Sequence, residues 1–186
     1  MDFKKLKQAS LSKKDKSSKK ILDVKISRLC KKINSLNDYY TTSSCSGRIV
    51  LIIDKNKKAE GLFLKVWHDL INFSKLKKEL KKILSSNSLN VKFKQEPCIL
   101  HVACYDLNSA LKLLDKARKN GWKRSGITSS GKKFVVELIS TEKLEFPIVN
   151  KGKLLIDNNF LKIIAEKSNI NLKKSWEKIE KLRKSL

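Results

Sequence analysis

A run of short polar side chains at residues 39–48 has the greatest potential for chemistry in this sequence. Six consecutive residues, from Thr41 to Ser46, carry a hydroxyl or thiol group, and a glycine and an arginine follow them. The hydroxyls are short hydrogen-bond donors, Gly47 lets a ligand approach the backbone, and Arg48 can pair with a carboxylate or phosphate. The run predicts a ligand-binding loop, unless its hydroxyls only cap a neighbouring helix. The candidate binding residues are Ser43, Ser44, Cys45, Ser46, Gly47 and Arg48.

The two histidines, His68 and His101, are the side chains whose ordinary pKa lies near neutral pH. On a strand predicted at 98–104, His101 alternates with Cys98, Leu100, Val102 and Cys104. If those four side chains face the core, His101 faces the other side, where the 43–48 run can meet it. His101 is therefore the candidate general base, and an ordinary surface histidine is the alternative.

The cysteines offer two further kinds of chemistry. Cys98, His101 and Cys104 have a spacing that could bind a metal ion together only if the segment were a helix. On the predicted strand their side chains point in different directions, so we expect no metal site. Cys45 is a candidate nucleophile, but no histidine or carboxylate is adjacent in the sequence to activate it. Four scattered cysteines do not form a disulfide scaffold and indicate a reducing compartment.

Basic and aromatic side chains elsewhere are candidate contacts to a nucleic acid. Lys123 and Arg124 stand beside Ser125 and can grip a phosphate, or are simply solvated. Trp67, next to His68, can stack on a base, as can Trp122, Tyr39 and Tyr40, although core packing is the alternative for each ring.

The charge narrows the class of partner. The 186 residues include 43 Lys and Arg against 18 Asp and Glu, a formal net charge of +25. A field of this size attracts polyanions, and we favour nucleic acid over a membrane surface because no strongly apolar amphipathic helix accompanies the charge. The longest aliphatic run, 49–53, is too short to span a bilayer, and no signal peptide is readable, so we expect a cytoplasmic protein.

Hydrophobic periodicity predicts the elements that position these residues. Residues 37–46 are expected to form a loop, Pro147 and Gly152 to punctuate another, and the last helix to break near 169–171. Helices are predicted at 21–36, 73–86, about 107–120 and from 158, and strands at 48–53, 61–68, 90–94, 98–104, 122–128 and 133–140.

This order predicts an α+β fold in one domain, 1–186. We expect a single mixed sheet from two duplicated hairpin-plus-helix units, each with a Ser-Gly at a strand start, flanked by helices. Residues 1–20 are expected to be lightly attached, and helices to occupy 157–186. The six glycines never form Gly-x-Gly, so the glycine-rich loop of a Rossmann fold is missing and that fold is not expected.

Residues 40–49 resemble the signature of the wybutosine-synthesising protein three family, tRNA methyltransferases of archaea and eukaryotes. Further resemblances follow in order along the chain, and together they cover about residues 11–145. They lie at Asp15, Ser17, Asp23, Trp67-His68, Glu96-Pro97, 99–102, Ala110 and 121–127.

The resemblance implies S-adenosylmethionine as the cofactor and the anticodon loop of phenylalanine tRNA as the partner, with methylation at N4 of a wyosine-type tricyclic base. We then expect residues 43–48 to hold the methyl donor, and His101 and Ser125 to face the acceptor base. Lys123, Arg124, Trp67 and His68 are the other candidate substrate contacts, and a monomer is expected. Two alternatives remain: a non-catalytic RNA-binding module, which would not bind the donor, and an enzyme using Cys45 covalently.

Overall fold

The computed structural model describes residues 2–12, 23–55, 61–86, 89–129 and 133–186. Several features of the sequence lie outside these residues. They are Asp15, Ser17, the predicted helix start at 21–22, and most of residues 54–58 and 129–131, where turns are expected. Within them are five helices: α1 (Phe3–Leu11), α2 (Val24–Ser35), α3 (Phe73–Ser86), α4 (Leu107–Lys119) and α5 (Asn158–Ser185). The nine strands are β1 (Tyr39–Cys45), β2 (Arg48–Ile53), β3 (Phe63–Trp67), β4 (Val91–Glu96), β5 (Ile99–Cys104), β6 (Gly126–Ser129), β7 (Phe134–Ile139), β8 (Leu144–Asn150) and β9 (Lys153–Leu154).

The α+β class is confirmed, but the described strands form two antiparallel sheets rather than the single mixed sheet expected. Sheet 1 has the order β1-β5-β7-β6, and sheet 2 has the order β3-β2-β4-β8-β9. Two segments predicted as loops explain the difference. The segment at 39–45 is strand β1 beside β5, and the one around Pro147 is strand β8 beside β4, so β4 and β5 lie in different sheets. Pro147 follows a register shift in the ladder, where the missing N–H is tolerated.

The chain divides into two compact units. The first unit comprises the residues up to Ser46, Cys98–Thr141 and Ser175–Leu186. It contains sheet 1, one face of which packs on α2, α4 and the end of α5 around a buried core. Asp106 caps α4, and Gly121, with a φ of 91°, follows that helix in the left-handed conformation that glycine adopts without strain.

The second unit comprises Gly47–Pro97 and Glu142–Lys174 and contains sheet 2, α3 and the first part of α5. The predicted break near 169–171 is wrong, because α5 continues through it. The Asn169 side chain exchanges hydrogen bonds with the backbone of Ile71, and Asn171 donates to Gln95. Both amides therefore bond to neighbouring segments and do not compete for the helix's own backbone.

No helix of the described segments has both the length and the apolar composition needed to cross a membrane. All four cysteines lie in described segments, and none of them forms a disulfide there.

A charged cluster in the second unit predicts a pH-dependent stability. Glu145 lies opposite Lys94 in the β4–β8 pairing, and hydrogen bonds from Lys143 and Lys94 lower its pKa to about 2. A carboxyl group whose pKa falls on folding stabilises the protein above its unfolded pKa of about 4.3, and this contribution is lost as the pH falls toward 2.

We expect Glu145→Gln to lower the free energy of unfolding at pH 7 and to weaken its dependence on pH between about 4.5 and 2. Urea unfolding over this range is the measurement, with Glu166→Gln, an exposed carboxyl group on α5, as the control. Equal effects of the two variants would contradict the assignment.

Candidate functional site

Three polar side chains lie side by side on the outer face of sheet 1, the face opposite the core. Ser43 of β1 pairs with His101 of β5, which pairs with Glu137 of β7. The Ser43 Oγ lies 2.8 Å from His101 Nδ1, and His101 Nε2 lies 2.8 Å from Glu137 Oε2. Because Leu100 and Val102 on either side of His101 are buried in the core, the predicted face of His101 is confirmed.

The hydrogen bonds in this row assign a role to each imidazole nitrogen. An ionised carboxylate only accepts hydrogen bonds, so Glu137 accepts from Nε2–H and the neutral ring keeps a lone pair on Nδ1. Ser43 then donates its hydroxyl proton to Nδ1. The side chains of His101 and Glu137 are 29% and 30% exposed, so a ligand and solvent can both reach the row.

The row ends at Gly126. This residue lies on β6 and pairs with Glu137 on the neighbouring strand β7. A Cβ atom built on Gly126 would meet no other atom within 4 Å, so the surface beside Glu137 is open. Lys123 and Arg124 are exposed in the turn that leads into β6. Space for a side chain therefore remains next to Glu137, and two cations lie nearby in the chain.

Ser125, a predicted substrate contact, is buried, and both hydrogen-bonding functions of its hydroxyl are used within the protein. Its Oγ donates to the Trp122 carbonyl over 2.6 Å and accepts from the Ile139 amide over 3.0 Å. We therefore assign Ser125 to holding the turn before β6.

The end of β1 is held by Asp23, the residue that caps α2. One carboxylate oxygen of Asp23 accepts from Lys25 N, and the other accepts from Ser46 N at 2.9 Å. The Ser46 hydroxyl is buried and has no hydrogen-bond partner among the described residues. Because buried hydroxyls normally have a partner, this oxygen marks a position where a polar ligand atom would fit.

The candidates of the second unit lie at strand ends of sheet 2. Arg48 pairs with Glu96 across β2 and β4, with its Nε donating to the carboxylate, and its guanidinium lies 4.9 Å from the centre of the Phe63 ring. Gly47, just before β2, has a φ of 100°, which glycine adopts without strain. Trp67, at the end of β3, and His68 after it are half-buried.

Two of the remaining cysteines and two of the candidate rings of the first unit have structural contacts within that unit. Cys98 and Cys104 face the core, away from His101, and burial raises the pKa of Cys104 to about 12. Trp122 is fully buried and donates to the Lys178 carbonyl, and the Tyr39 hydroxyl donates to the Ser109 carbonyl. Among the residues of the polar run, Ser44 hydrogen-bonds to the Cys30 thiol, and Cys45 is half-buried at the end of β1.

Glu137 was not predicted from the sequence, although a signal for it exists. It stands alone as a charge within Val135-Val136-Glu137-Leu138-Ile139, an otherwise aliphatic strand. A carboxylate in such a place needs a polar partner.

Comparisons with solved structures identify proteins that share this fold. The fold is similar to the PH1069 protein from Pyrococcus horikoshii, with a TM-score of 0.88 and 31% identity over 98% of this chain and 95% of that chain. It is also similar to a hypothetical protein from Aeropyrum pernix, with a TM-score of 0.73 and 28% identity over 86% and 93% of the two chains.

Sequence comparisons identify the family. A profile described as Methyltransferase TYW3 matches residues 3–186. The tRNA(Phe) 7-((3-amino-3-carboxypropyl)-4-demethylwyosine(37)-N(4))-methyltransferase of Methanocaldococcus jannaschii is 37% identical over 84% of this chain and 82% of that protein. The human tRNA wybutosine-synthesizing protein 3 homolog is 32% identical over 97% of this chain and 70% of that protein. The class is thus that of a tRNA-modifying methyltransferase. The chain belongs to the Methyltransferase TYW3 family, which confirms the resemblance at residues 40–49 and argues against a non-catalytic module.

Proposed function

We propose that the chain methylates N4 of a 4-demethylwyosine-type base in phenylalanine tRNA with S-adenosylmethionine as the donor. The reaction and tRNA follow the names of its relatives. The observation that carries the proposal is the exposed row of Ser43, His101 and Glu137, since replacing a ring N–H by N–CH₃ releases a proton that a base must accept. We also propose that the protein acts as a monomer.

S-adenosylmethionine supplies a methyl group already activated on a sulfonium, so the protein must mainly hold and orient the reactants. Of the predicted donor-binding residues 43–48, we assign residues 44–48 to the donor. Two observations support this assignment: the unpartnered buried hydroxyl of Ser46, and the arginine at position 48. A polar group of the donor would hydrogen-bond to the Ser46 hydroxyl, and an anionic group of the donor would pair with the Arg48 guanidinium. Because Ser43 Oγ bonds to His101, we assign Ser43 to the acceptor side of the reaction.

The test is transfer of a labelled methyl group from S-adenosylmethionine to tRNA. We expect label in phenylalanine tRNA that carries the 4-demethyl tricyclic base and none in the same tRNA with an unmodified guanosine at that position. Equal labelling of both, or of neither with the wild-type protein, would contradict the proposal.

Arg48→Ala is expected to weaken donor binding without unfolding the protein. A hydrogen bond to a charged group contributes about 1.5–3 kcal/mol, so the Kd for S-adenosylmethionine should rise about tenfold or more. Titration calorimetry measures this, and Glu96→Gln is the matched control, because it removes the ion pair but keeps the arginine. An unchanged Kd in Arg48→Ala, or an equal rise in both variants, would remove Arg48 from the donor site.

Replacement of both Lys123 and Arg124 by alanine is expected to weaken tRNA binding and to reduce its salt dependence. The logarithm of the tRNA binding constant falls as the logarithm of the salt concentration rises. Each lost phosphate contact makes this decline less steep, by about 0.7–0.9 in the magnitude of the slope. Filter binding over a range of salt concentrations measures the slope. The double variant Lys173→Ala, Lys174→Ala, which removes two exposed charges from α5, is the control. If the slope of the first double variant equals that of the wild type, these two residues do not contact phosphate.

A further inference from the structure

We propose that Glu137 is a positioning residue that fixes the tautomer of His101, and that Ser43 passes the proton of the acceptor nitrogen to His101. We call these three residues the Ser43–His101–Glu137 relay. The inference rests on the proposed function and deepens it, because it assigns the path of the proton that methylation releases.

The relay is built on three adjacent strands of one sheet. Ser43, His101 and Glu137 occupy directly opposed positions in the β1–β5 and β5–β7 ladders. The side chains of such pairs lie within reach of each other on one face. Backbone pairing therefore holds all three groups, and both side-chain contacts have the 2.8 Å length of good hydrogen bonds.

Glu137 determines which nitrogen of His101 accepts a proton. With the carboxylate on Nε2, the neutral ring carries its hydrogen there, and the Nδ1 lone pair faces the Ser43 hydroxyl. The carboxylate also favours the imidazolium that forms when Nδ1 takes a proton. A glutamine at position 137 can instead donate to Nε2, which would move the hydrogen to Nδ1 and remove the acceptor that Ser43 needs.

The proton balance of methylation matches this arrangement. As the ring nitrogen forms its bond to the methyl carbon, the carbon–sulfur electron pair returns to sulfur and the nitrogen loses its hydrogen. Ser43 Oγ accepts that hydrogen while its own hydroxyl proton moves to His101 Nδ1. The charged imidazole then releases a proton to water, to which its side chain is 29% exposed.

The surroundings favour a ligand beside this row over a purely structural ion pair. Exposed ion pairs contribute little to stability. The next position in the row is Gly126, where an added Cβ meets nothing within 4 Å. This open position lies next to Glu137, at the end of the row opposite Ser43, so a ligand has space beside the carboxylate.

The direct test is the tautomer of His101 in the protein without substrates. Long-range ¹H–¹⁵N spectra of histidine-labelled protein resolve the two ring nitrogens, and the chain has only two histidines to assign. For the neutral ring we expect the Nε2–H form in the wild type. In Glu137→Gln we expect loss of this single tautomer. A wild-type Nδ1–H form, or the same spectrum in Glu137→Gln, would overturn the proposal.

The kinetic test separates positioning from stability. Glu137→Gln should lower kcat for methyl transfer about 100-fold with little change in KM for tRNA or donor. Glu180→Gln, which removes a carboxylate from an ion pair of α5 in the same unit, should leave kcat unchanged. Added acetate should partly restore kcat in Glu137→Ala, because a small carboxylate can occupy the vacated position. An unchanged kcat in Glu137→Gln, or no acetate rescue, would contradict the relay.

The two proposals fail differently. If the wild type transfers no methyl group while the tautomer result is as expected, the proposed function is wrong and the Ser43–His101–Glu137 geometry stands. If the wild type is active and Glu137→Gln keeps both its kcat and its tautomer, the relay alone is wrong.

Discussion

Replacement of His101 by glutamine is expected to lower kcat for methyl transfer by about 10²- to 10⁴-fold, the range that general base catalysis contributes. Glutamine keeps a polar side chain of similar reach between Ser43 and Glu137, but it cannot take up a proton at Nδ1. Because donor and tRNA contacts are assigned to other residues, KM for both should change little. Steady-state kinetics with demethylated tRNA measures the effect.

The pH profile gives this prediction a second readout. If His101 accepts the proton as a general base, the wild-type kcat should fall on the acid side of the profile, and His101→Gln should lack this decline. The control is Lys181→Gln, which removes a positive charge from an exposed position of α5 in the same unit. We expect this variant to keep the wild-type pH profile. A His101→Gln enzyme with wild-type kcat and an unchanged pH profile would show that methyl transfer needs no base here.

Replacement of Trp122 by alanine is expected to lower the free energy of unfolding by about 3–5 kcal/mol, as for other large-to-small changes of buried aromatic residues. The ring is fully buried in the core of the first unit, and its Nε1 donates to the Lys178 carbonyl over 3.2 Å. The variant would leave a cavity and remove this hydrogen bond. Since whole domains are stable by about 5–15 kcal/mol, this is a large fraction of the total.

Urea unfolding measures the loss, and Trp122→Phe is the control that keeps most of the packing while removing the indole N–H. We expect Trp122→Phe to cost less than Trp122→Ala. The sequence alone also allowed Trp122 to stack on a base. Weaker tRNA binding by Trp122→Ala with wild-type stability would favour that role and contradict the structural one.

Local patterns predicted the face of His101 but not its partners. The period of two along β5 is a property of the strand itself, so the side opposite Leu100 and Val102 follows from the sequence. Which residues of β1 and β7 oppose His101 depends on the register between strands distant in the chain. Ser43 was therefore predicted only as a nearby candidate, and Glu137 was not predicted at all.

Two predictions of secondary structure, the loop at 37–46 and the helix break near 169–171, were wrong for the same reason. In both segments the polar side chains were interpreted as a sign of irregular structure. The hydroxyls at 39–45 suggested a loop, yet Tyr39, Tyr40, Thr41 and Thr42 are strand-forming residues, and β5 provides their backbone partners. Asn169 and Asn171 suggested a helix break, but their amides bond to Ile71 and Gln95. In both places partners remote in sequence decide the local structure, and a single sequence does not reveal them.

Ser125 illustrates a different limit. Its place beside Lys123, Arg124 and Gly126 suggested a ligand contact, but its hydroxyl is committed to Trp122 and Ile139. Residue type and spacing identify the turn, whereas the direction of one hydroxyl depends on the packing around it.

Nucleoside analysis of the methylated product tests the central claim most directly. Phenylalanine tRNA from a strain that lacks this methyltransferase would be incubated with the protein and S-adenosylmethionine, digested, and separated by liquid chromatography with mass spectrometry. The account predicts one added methyl group on the tricyclic nucleoside, located on ring nitrogen-4, with wild-type protein and almost none with His101→Gln. A tricyclic nucleoside of unchanged mass, or a methyl group on another atom, would contradict it.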